Sequence, residues 1–225
     1  KKEGKLEVYL SPVIAYRNSH TLTRENSALS FRLKQDGTLF SMGFYEAMPD
    51  IDFLFSADTV FEQNGVWLKN REYLCEMERG FEFREDCYVP GSFSFTLDSG
   101  EHMIARAALE TEHTGKKYLE DVYAEERVKR ESIKKMYKEE PEAVRILKQE
   151  SRHFLIRNRD NHLSVIAGYP WFGEWGRDTM ISLPGLTGCL GNPAAGLEIL
   201  KTYAAHIKDG LLPNTLGGAQ GFESY

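Results

Sequence analysis

The feature that most constrains the fold is a change of composition at about residue 110. Before it, short apolar runs alternate with glycine-containing pairs. After it stands a charged stretch with neither Gly nor Pro, YLEDVYAEERVKRESIKKMYKEE (118–140). A thin apolar stripe in such a stretch predicts a solvent-exposed helix that lies over a surface. The stripe consists of Leu119, Val122, Val128, Ile133 and Met136.

Residues 1–110 are predicted to form an antiparallel β-sandwich. Three residue pairs that tolerate positive φ interrupt extended runs, namely Asp36-Gly37, Asn64-Gly65 and Ser99-Gly100. The first two pairs favour tight hairpin turns. The third follows a run in which Phe93, Phe95 and Leu97 alternate onto one face. Repeated turns of this kind indicate two packed antiparallel sheets.

Residues 111–150 are predicted to be linker helices, and residues 151–225 the start of an α-helical domain. Pro141 suits the first position of the second linker helix. A helical pattern starts at Thr179, where Pro184 predicts a kink or a break. Another starts at Pro193 and stops at Gly210, with Leu197, Leu200 and Ala204 on one face. The expected fold class is α+β by segments, and the helical domain is expected to be incomplete at Tyr225.

The composition argues against some classes of partner. The net charge is −6, from 28 basic and 34 acidic residues. A nucleic acid or an anionic membrane would require a basic surface, so neither is expected as a partner. Three cysteines without metal-type spacing favour a reducing, cytoplasmic location over a disulfide scaffold. No apolar run is long enough to span a bilayer. Because the chain begins with Lys1, the sequence does not decide whether a signal peptide was removed.

One short stretch concentrates unusual chemistry, AGYPWFGEWGRDTMISLPGL (167–186). Trp171 and Trp175 offer flat apolar faces that match the C–H face of a pyranose ring. Arg177 and Asp178 can form charge-assisted hydrogen bonds to neighbouring ring hydroxyls. Gly173 and Gly176 allow the backbone to approach a ligand closely. The stretch suits a sugar subsite, although the same chemistry also suits other polar ligands.

A purely structural interpretation of the same stretch is also open. Asp178, followed by Thr179 and an apolar run, has the pattern of a helix N-cap. The aromatic side chains of Trp171, Phe172 and Trp175 could fill a core. Arg177 could pair with Glu174 on the surface, where such a pair contributes little.

The segment IAGYPWFGEWGRDTMISLPGL (166–186) resembles, nearly residue for residue, the opening of the catalytic domain in the glycogen debranching enzyme (amylo-α-1,6-glucosidase) family. The family's downstream Gly-Leu-Ile-Pro-Asn is matched by GLLPN (210–214). Three N-terminal segments are similar to the family's β domain: PVIAYRNSHTLTREN (12–26), NGVWLKNREYL (64–74) and RGFEFREDCYVPGSFSF (79–95). The resemblance covers almost the whole chain.

The resemblance implies an N-terminal β-sandwich, a linker helix and the first helices of an (α/α)6 barrel. It implies hydrolysis of α-1,6-linked glucose from glycogen or a branched α-glucan, without metal or organic cofactor. By the same match, Arg177 and Asp178 would bind glucose hydroxyls beside Trp175. Trp171 and Tyr169 would shape the pocket, and Asn214 would lie on the same face of the barrel.

The catalytic residues are not identified by the sequence. A glycosidase of this kind needs an acid and a base about 6.5–9.5 Å apart when it inverts configuration. Glu174 and Asp178 are only four positions apart at a predicted loop-to-helix junction, so they are not expected to flank a sugar from two sides. In the family the two carboxyl groups lie further along the barrel. We therefore expect the 225-residue chain to be inactive alone.

Several alternatives remain at this stage. The β domain could be a non-catalytic α-glucan-binding module, with Trp67 and Tyr73 as contact aromatics, or the protein could be a glucoamylase-like or trehalase-like hydrolase. His20 and His102 are interpreted as structural, and Glu85 and Asp86 as residues at a sandwich edge. No zinc site is expected at His206, nor a phosphate loop at GGAQG (217–221). Exposed faces of an incomplete barrel could form a homodimer.

Overall fold

A computed structural model describes residues 4–18, 21–109, 116–158, 160–169 and 172–216. The chain divides into two compact units, Lys1–Val128 and Lys129–Tyr225. Each unit has its own apolar core. His20, Trp171 and the GGAQG segment lie outside the described residues.

The first unit contains two antiparallel sheets. The three-stranded sheet has the order β1-β6-β5 and the four-stranded sheet the order β2-β3-β4-β7. A short helix, α1 (Leu74–Glu78), connects β5 to β6. The strands are β1 (Leu6–Leu10), β2 (Arg32–Asp36), β3 (Leu39–Gly43), β4 (Ile51–Phe55), β5 (Val60–Glu72), β6 (Arg84–Leu97) and β7 (Ala105–Leu109).

Aromatic side chains from both sheets share one core. Phe93 on β6 is fully buried, and its ring centroid lies 4.7 Å from that of Phe55 and 5.1 Å from that of Phe40. Burial of such large rings is the main favourable contribution to folding of this unit. The buried cluster consists of Phe40, Met42, Phe44, Phe53, Phe55, Tyr88 and Phe93.

The predicted turn pairs have different outcomes. Asp36 pairs with Leu39 across a tight turn in which Gly37 has φ +56°, which confirms a turn there. Gly100 has φ +93° in a turn closed by a hydrogen bond from the Glu101 N–H to the Asp98 carbonyl. That turn leads from β6 to β7, which lie in different sheets.

The hairpin predicted at Asn64-Gly65 is wrong. The pair lies inside β5, where the register with β6 shifts between Gln63 and Val66. Gly65 is not among the residues with positive φ, so it forms a bulge rather than a turn. A Cβ at Gly65 would collide with the Tyr88 hydroxyl. A glycine is therefore needed here, because the Tyr88 side chain lies directly against the backbone of β5.

The charged stretch forms α2 (Lys116–Met136), and α3 (Glu142–Ser151) follows directly after Pro141. Of the predicted stripe, Leu119 is 2% exposed, whereas Val128 and Met136 are 70% and 69% exposed. The helix is therefore exposed over most of its surface, as predicted.

Among the described residues, no helix combines the length and the apolar character that crossing a membrane requires.

The second unit combines short strands with helices. The strands are β8 (Leu155–Arg157), β9 (Leu163–Val165), β10 (Glu174–Trp175) and β11 (Thr215–Leu216). The helices after α3 are α4 (Gly176–Leu186), which ends two residues after Pro184, and α5 (Pro193–Ala204). The Asn192 side chain caps α5 by accepting from the Ala195 N–H at 3.3 Å. The chain is thus a mixed α and β protein with its two larger antiparallel sheets in the N-terminal region.

The apolar face predicted for α5 is wrong. Leu197 and Leu200 are 54% and 45% exposed, while Ile199 and Tyr203 are buried. The core of this unit lies under the latter two side chains, because Val165, Leu183 and Leu216 pack there.

Candidate functional site

The Trp-Gly-Arg-Asp stretch forms a strand-to-helix junction. Trp175 has extended backbone angles, φ −106° and ψ 123°, and α4 begins at the next residue. The predicted N-cap at Asp178 is wrong, because pairing of Trp175 with β11 starts the helix earlier and places Asp178 in its first turn. A carboxylate in that position is still favoured by the helix dipole.

The GLLPN segment (210–214) and the strand that follows it lie against the same junction. Strand β11 pairs antiparallel with β10, with Trp175 opposite Thr215. The Gly176 N–H donates to the Asn214 carbonyl at 2.7 Å. Trp175 and Asn214, predicted as substrate-binding residues from segments far apart in the chain, are therefore neighbours in the structure.

Gly176 makes this approach possible. A Cβ on Gly176 would collide with the Pro213 carbonyl oxygen and would lie 3.3 Å from Cε1 of Tyr203. The glycine is buried, and the colliding atom belongs to the backbone, which cannot move aside as a side chain can. The residue is required here for space rather than for an unusual φ.

Arg177 and Asp178 are both exposed. Within the part of the chain that the structure describes, neither side chain forms a hydrogen bond or an ion pair. The surface pair between Arg177 and Glu174 is therefore not formed. Glu174 instead accepts from the Asn158 amide at 3.3 Å. An exposed guanidinium and carboxylate on adjacent residues can donate to and accept from a polyhydroxylated ligand.

Aromatic side chains lie near the junction. The loop that carries them is closed by hydrogen bonds from the Ala167 N–H to the Gly173 carbonyl, 2.9 Å, and from the Phe172 N–H to the Gly168 carbonyl, 3.0 Å. Phe172 and Tyr169 are 50% and 58% exposed, so the core-filling interpretation is wrong for Phe172. The Tyr169 hydroxyl donates to the His153 carbonyl at 2.7 Å. Trp175 is half-buried.

A buried hydroxyl pair lies beneath the junction. Thr179 and Tyr203 are 0% and 1% exposed, and their hydroxyl oxygens are 3.1 Å apart. Burial raises the pKa of Tyr203, and the charges of Glu174 and Asp178 act in the same direction. The sequence analysis did not identify this pair, although the i, i+4 spacing of Ile199 and Tyr203 could have indicated a buried face.

The first unit holds a buried carboxylate that the sequence analysis misplaced at a sandwich edge. Glu85 is fully buried and accepts from Arg17 Nε at 2.6 Å and Nη2 at 3.0 Å. It also accepts from the Thr23 N–H at 3.0 Å and the Tyr73 hydroxyl at 2.5 Å. Burial raises the pKa of Glu85, but these hydrogen bonds and the Arg17 charge outweigh it and hold the pKa below its ordinary value.

Asp86 is also buried, with only 7% of its surface exposed, and does not lie at an exposed sandwich edge. It accepts from the N–H groups of Glu25, 3.0 Å, and Asn70, 2.8 Å. Together the two carboxylates fasten Arg17, Thr23 and Glu25 to strands β5 and β6. A buried charge is stable only with such partners. Thr23 and Glu25 lie about 60 residues before the carboxylates that they bind, whereas Asn70 and Tyr73 lie 16 and 12 residues before theirs.

The aromatics considered for a binding module have structural contacts. The ring of Trp67 packs against Tyr88 at a centroid distance of 5.4 Å. Burial, followed by the hydrogen bond to Glu85, raises the pKa of Tyr73 to about 12. Tyr73 is 38% exposed and therefore keeps part of its ring accessible.

The remaining candidates have ordinary surroundings. The His102 ring lies 5.4 Å from the Tyr123 ring, and His206 Nδ1 lies 2.8 Å from the Thr202 carbonyl oxygen. No cluster of three His, Cys, Asp or Glu side chains within the described ranges could hold a metal ion. Cys75, Cys87 and Cys189 are all free thiols.

Comparison with known proteins gives two matches to family models. Residues 1–104 match the family model described as glycogen debranching enzyme N terminal. Residues 149–224 match the family model described as amylo-alpha-1,6-glucosidase. No curated protein and no solved structure matches the chain. Both segments brought together at the β10–α4 junction lie within the second match.

Proposed function

Because the chain belongs to the glycogen debranching enzyme family, we propose that it contributes part of the glucose subsite to an enzyme that hydrolyses α-1,6-linked glucose in glycogen or a related branched α-glucan. The observation that carries this proposal is the meeting of Trp175 and Asn214 at the start of α4, beside exposed Arg177 and Asp178. In this role the Arg177 guanidinium donates to sugar hydroxyls and the Asp178 carboxylate accepts from them.

The architecture that we propose follows the family. The two antiparallel sheets of the first unit, which share one aromatic core, would be the β-sandwich. The helices of the second unit, from α3 to α5, would be the first helices of an (α/α)6 barrel. In such a barrel the β10–α4 junction would face the sugar.

We further propose that the acid and base lie outside these 225 residues. Glu174 and Asp178 flank a single strand-to-helix junction, and Glu174 is hydrogen-bonded to Asn158. Two carboxyl groups that act on a glycosidic bond must instead approach the sugar from opposite sides. The chain would thus orient glucose, and other parts of the enzyme would supply the proton and activate the water.

Glucose release from a branched limit dextrin tests this division of roles. The 225-residue chain is compared with an intact debranching enzyme that contains it, at equal molar concentrations. We expect release by the intact enzyme and none by the chain alone. Release by the chain alone would show that one of its own carboxylates does the chemistry.

The linkage specificity is tested by a separate comparison of two substrates. A linear α-1,4 glucan and a panose-type α-1,6 substrate are given to the same intact enzyme. Preference for the α-1,6 substrate supports a debranching enzyme. Preference for the linear glucan would indicate a glucoamylase-like hydrolase built on the same fold.

A further inference from the structure

The outer face of the three-stranded sheet carries an exposed tyrosine. Phe93 of β6 points into the aromatic core, so its neighbours Ser92 and Ser94 lie on the opposite face of the sheet. Tyr9 of β1 pairs with Ser94 and therefore shares this outer face, where 64% of its surface is exposed. A single exposed aromatic residue is common on protein surfaces, so its surroundings decide what it can do.

The surroundings of Tyr9 form a shallow trough along β6. On the far side of β6, Val60 of β5 pairs with the same Ser94 and is 62% exposed. Because neighbouring strands lie about 4.8 Å apart, Tyr9 and Val60 belong to strands about 10 Å apart. The outer-face residues of β6 between them are small and carry hydroxyl groups. We call this feature the serine trough, with Tyr9 and Val60 as its walls and Ser92, Ser94 and Thr96 as its floor.

Hydrogen-bonding groups surround the trough. Glu62 pairs with Ser92, and Glu7 lies two residues before Tyr9 on the same face of β1; both glutamates are exposed. A hydrogen bond to the Glu7 carboxylate raises the pKa of Tyr9, and the charge of Glu62 acts in the same direction. The Ser92 hydroxyl is bonded to the Ser11 hydroxyl at 2.5 Å. The trough thus offers carboxylate acceptors beside hydroxyl groups that can donate or accept.

This chemistry favours a neutral ligand that is rich in hydroxyl groups. The two carboxylates repel anions, which argues against a phosphate, a nucleic acid or an anionic membrane. Hydroxyl groups of a sugar can donate to the carboxylates and can exchange hydrogen bonds with the serine floor. The flat face of the Tyr9 ring matches the C–H face of a pyranose. From Ser92 to Thr96 the floor is about 13 Å long, which leaves room for more than one sugar ring.

We propose that the serine trough is a second glucan-binding site, at which Tyr9 stacks on a sugar ring while Ser94 and Glu62 bond to its hydroxyl groups. The identity of the sugar rests on the proposed function of the chain, whereas the site itself rests on the geometry of β1, β5 and β6. The trough contains no residue of the β10–α4 junction. A second contact with the same polymer would raise the effective concentration of glucan chains at the glucose subsite.

Electrophoresis of the full chain through native gels that contain glycogen measures the binding. The chain has a net charge of −6 and migrates toward the anode, and bound glycogen retards it. We expect retardation by glycogen and recovery of mobility when maltoheptaose is added. An anionic oligogalacturonate should not restore the mobility, because the carboxylates repel it. Mobility that glycogen does not change, or that both oligosaccharides restore equally, would overturn the proposal.

Matched variants locate the binding. Tyr9→Ala should weaken glycogen binding about tenfold, because it removes the stacking ring, and Tyr9→Phe should retain most of the affinity. Ser94→Leu should also weaken binding, since it fills the floor of the trough. Phe81→Ala, which removes a 56% exposed ring outside the trough, should leave the affinity unchanged. Equal losses in Tyr9→Ala and Phe81→Ala would exclude the trough as the site.

A spectroscopic measurement on the unmodified chain does not depend on the folding of variants that lose binding. The ring signals of Tyr9 are assigned by their disappearance in Tyr9→Phe. Maltoheptaose should shift these signals at the concentration that restores mobility in the gel. Unchanged signals at that concentration would refute the stacking contact.

The trough and the proposed function can be tested independently. Weaker binding by Tyr9→Ala, together with no glucose release by the intact enzyme, would support the trough and reject the debranching function. Glucose release by the intact enzyme, together with normal glycogen binding by Tyr9→Ala, would support the function and overturn the trough. A Tyr9→Ala chain that binds glycogen normally but no longer self-associates would also overturn the trough, and would assign this face to a second copy of the chain.

Discussion

Gly176 is the residue at which two distant segments meet. Its N–H bonds the Asn214 carbonyl, and the space where its side chain would be is occupied by the Pro213 carbonyl. Sequence reasoning assigned Gly176 a role in close backbone approach. It could not name the partner, because the partner depends on the pairing of β10 with β11.

Gly176→Ala should lower the free energy of unfolding of the second unit by about 1–3 kcal/mol, because the added Cβ collides with backbone. Urea denaturation measures the loss. Gly185→Ala in the same helix is the control, since a Cβ there meets nothing within 4 Å and alanine favours a helix. Equal destabilisation of both variants would contradict the steric explanation.

Asp178→Asn, made in an intact debranching enzyme that contains this chain, should lower kcat/KM about tenfold or more. The substitution removes a charge-assisted acceptor from the proposed glucose subsite. Stability should fall by no more than the roughly 0.3–1 kcal/mol that a carboxylate in the first turn gains from the helix dipole, because the Asp178 side chain has no hydrogen bond or ion pair among the described residues. Asp160→Asn, on an exposed turn, is the matched control. An unchanged kcat/KM for Asp178→Asn would reject the subsite assignment.

At the scale of elements, β6 organises the first unit. It pairs with β1 and β5, contributes Phe93 to the core and carries the adjacent carboxylates Glu85 and Asp86. Through them it fixes Arg17, Thr23 and Glu25, which lie outside the helices and strands. These hydrogen bonds fasten the three residues to the sheet although they belong to no strand.

Glu85→Gln should destabilise the first unit by about 3 kcal/mol at pH 7, because Arg17 loses the carboxylate that it pairs with. The folded pKa of Glu85 lies below the ordinary 4.5, so its contribution to stability is complete above that pH and disappears as pH falls through the folded pKa. Urea denaturation from pH 7 to pH 3 should show the two proteins converging at low pH. A difference that stayed constant with pH would contradict the ionised-network explanation.

Elements with local signals were predictable. The turn at Gly37, the exposed helix α2 and the start of α5 at Pro193 follow from turn and helix rules that act over a few residues. The hairpin predicted at Asn64-Gly65 was wrong because β5 pairs with β6 over most of its length, and this pairing outweighed the local turn preference of the two residues. Burial of Glu85 was not predictable, since its partners Arg17 and Thr23 lie more than 60 residues away.

At the scale of the whole molecule, the sequence predicted the order of a β part followed by a helical part. The short strands of the second unit were missed, because two- and three-residue strands carry no periodic signal. Of the candidate site, the sugar-binding chemistry of Trp175, Arg177 and Asp178 was inferred from the residues themselves, and the placing of Asn214 on the same face came from the family resemblance. The pairing that joins them is visible only in three dimensions.

Exposed apolar side chains on the second unit predict self-association. Ile181 and Leu197 are 76% and 54% exposed. We expect the sedimentation coefficient of the chain to rise with concentration. Ile181→Gln should reduce that rise, whereas Val128→Gln, at an equally exposed site on α2, should not. A sedimentation coefficient independent of concentration would contradict the prediction.

The two-residue pairing of β10 with β11 has a consequence for engineering. The start of α4 is held in part by Pro213 to Leu216, which lie alongside Glu174 to Gly176. The Trp175–Asp178 stretch would therefore not keep its conformation as an isolated peptide. A graft into another scaffold would have to carry both segments in their mutual register, and libraries that diversify one segment should diversify the other with it.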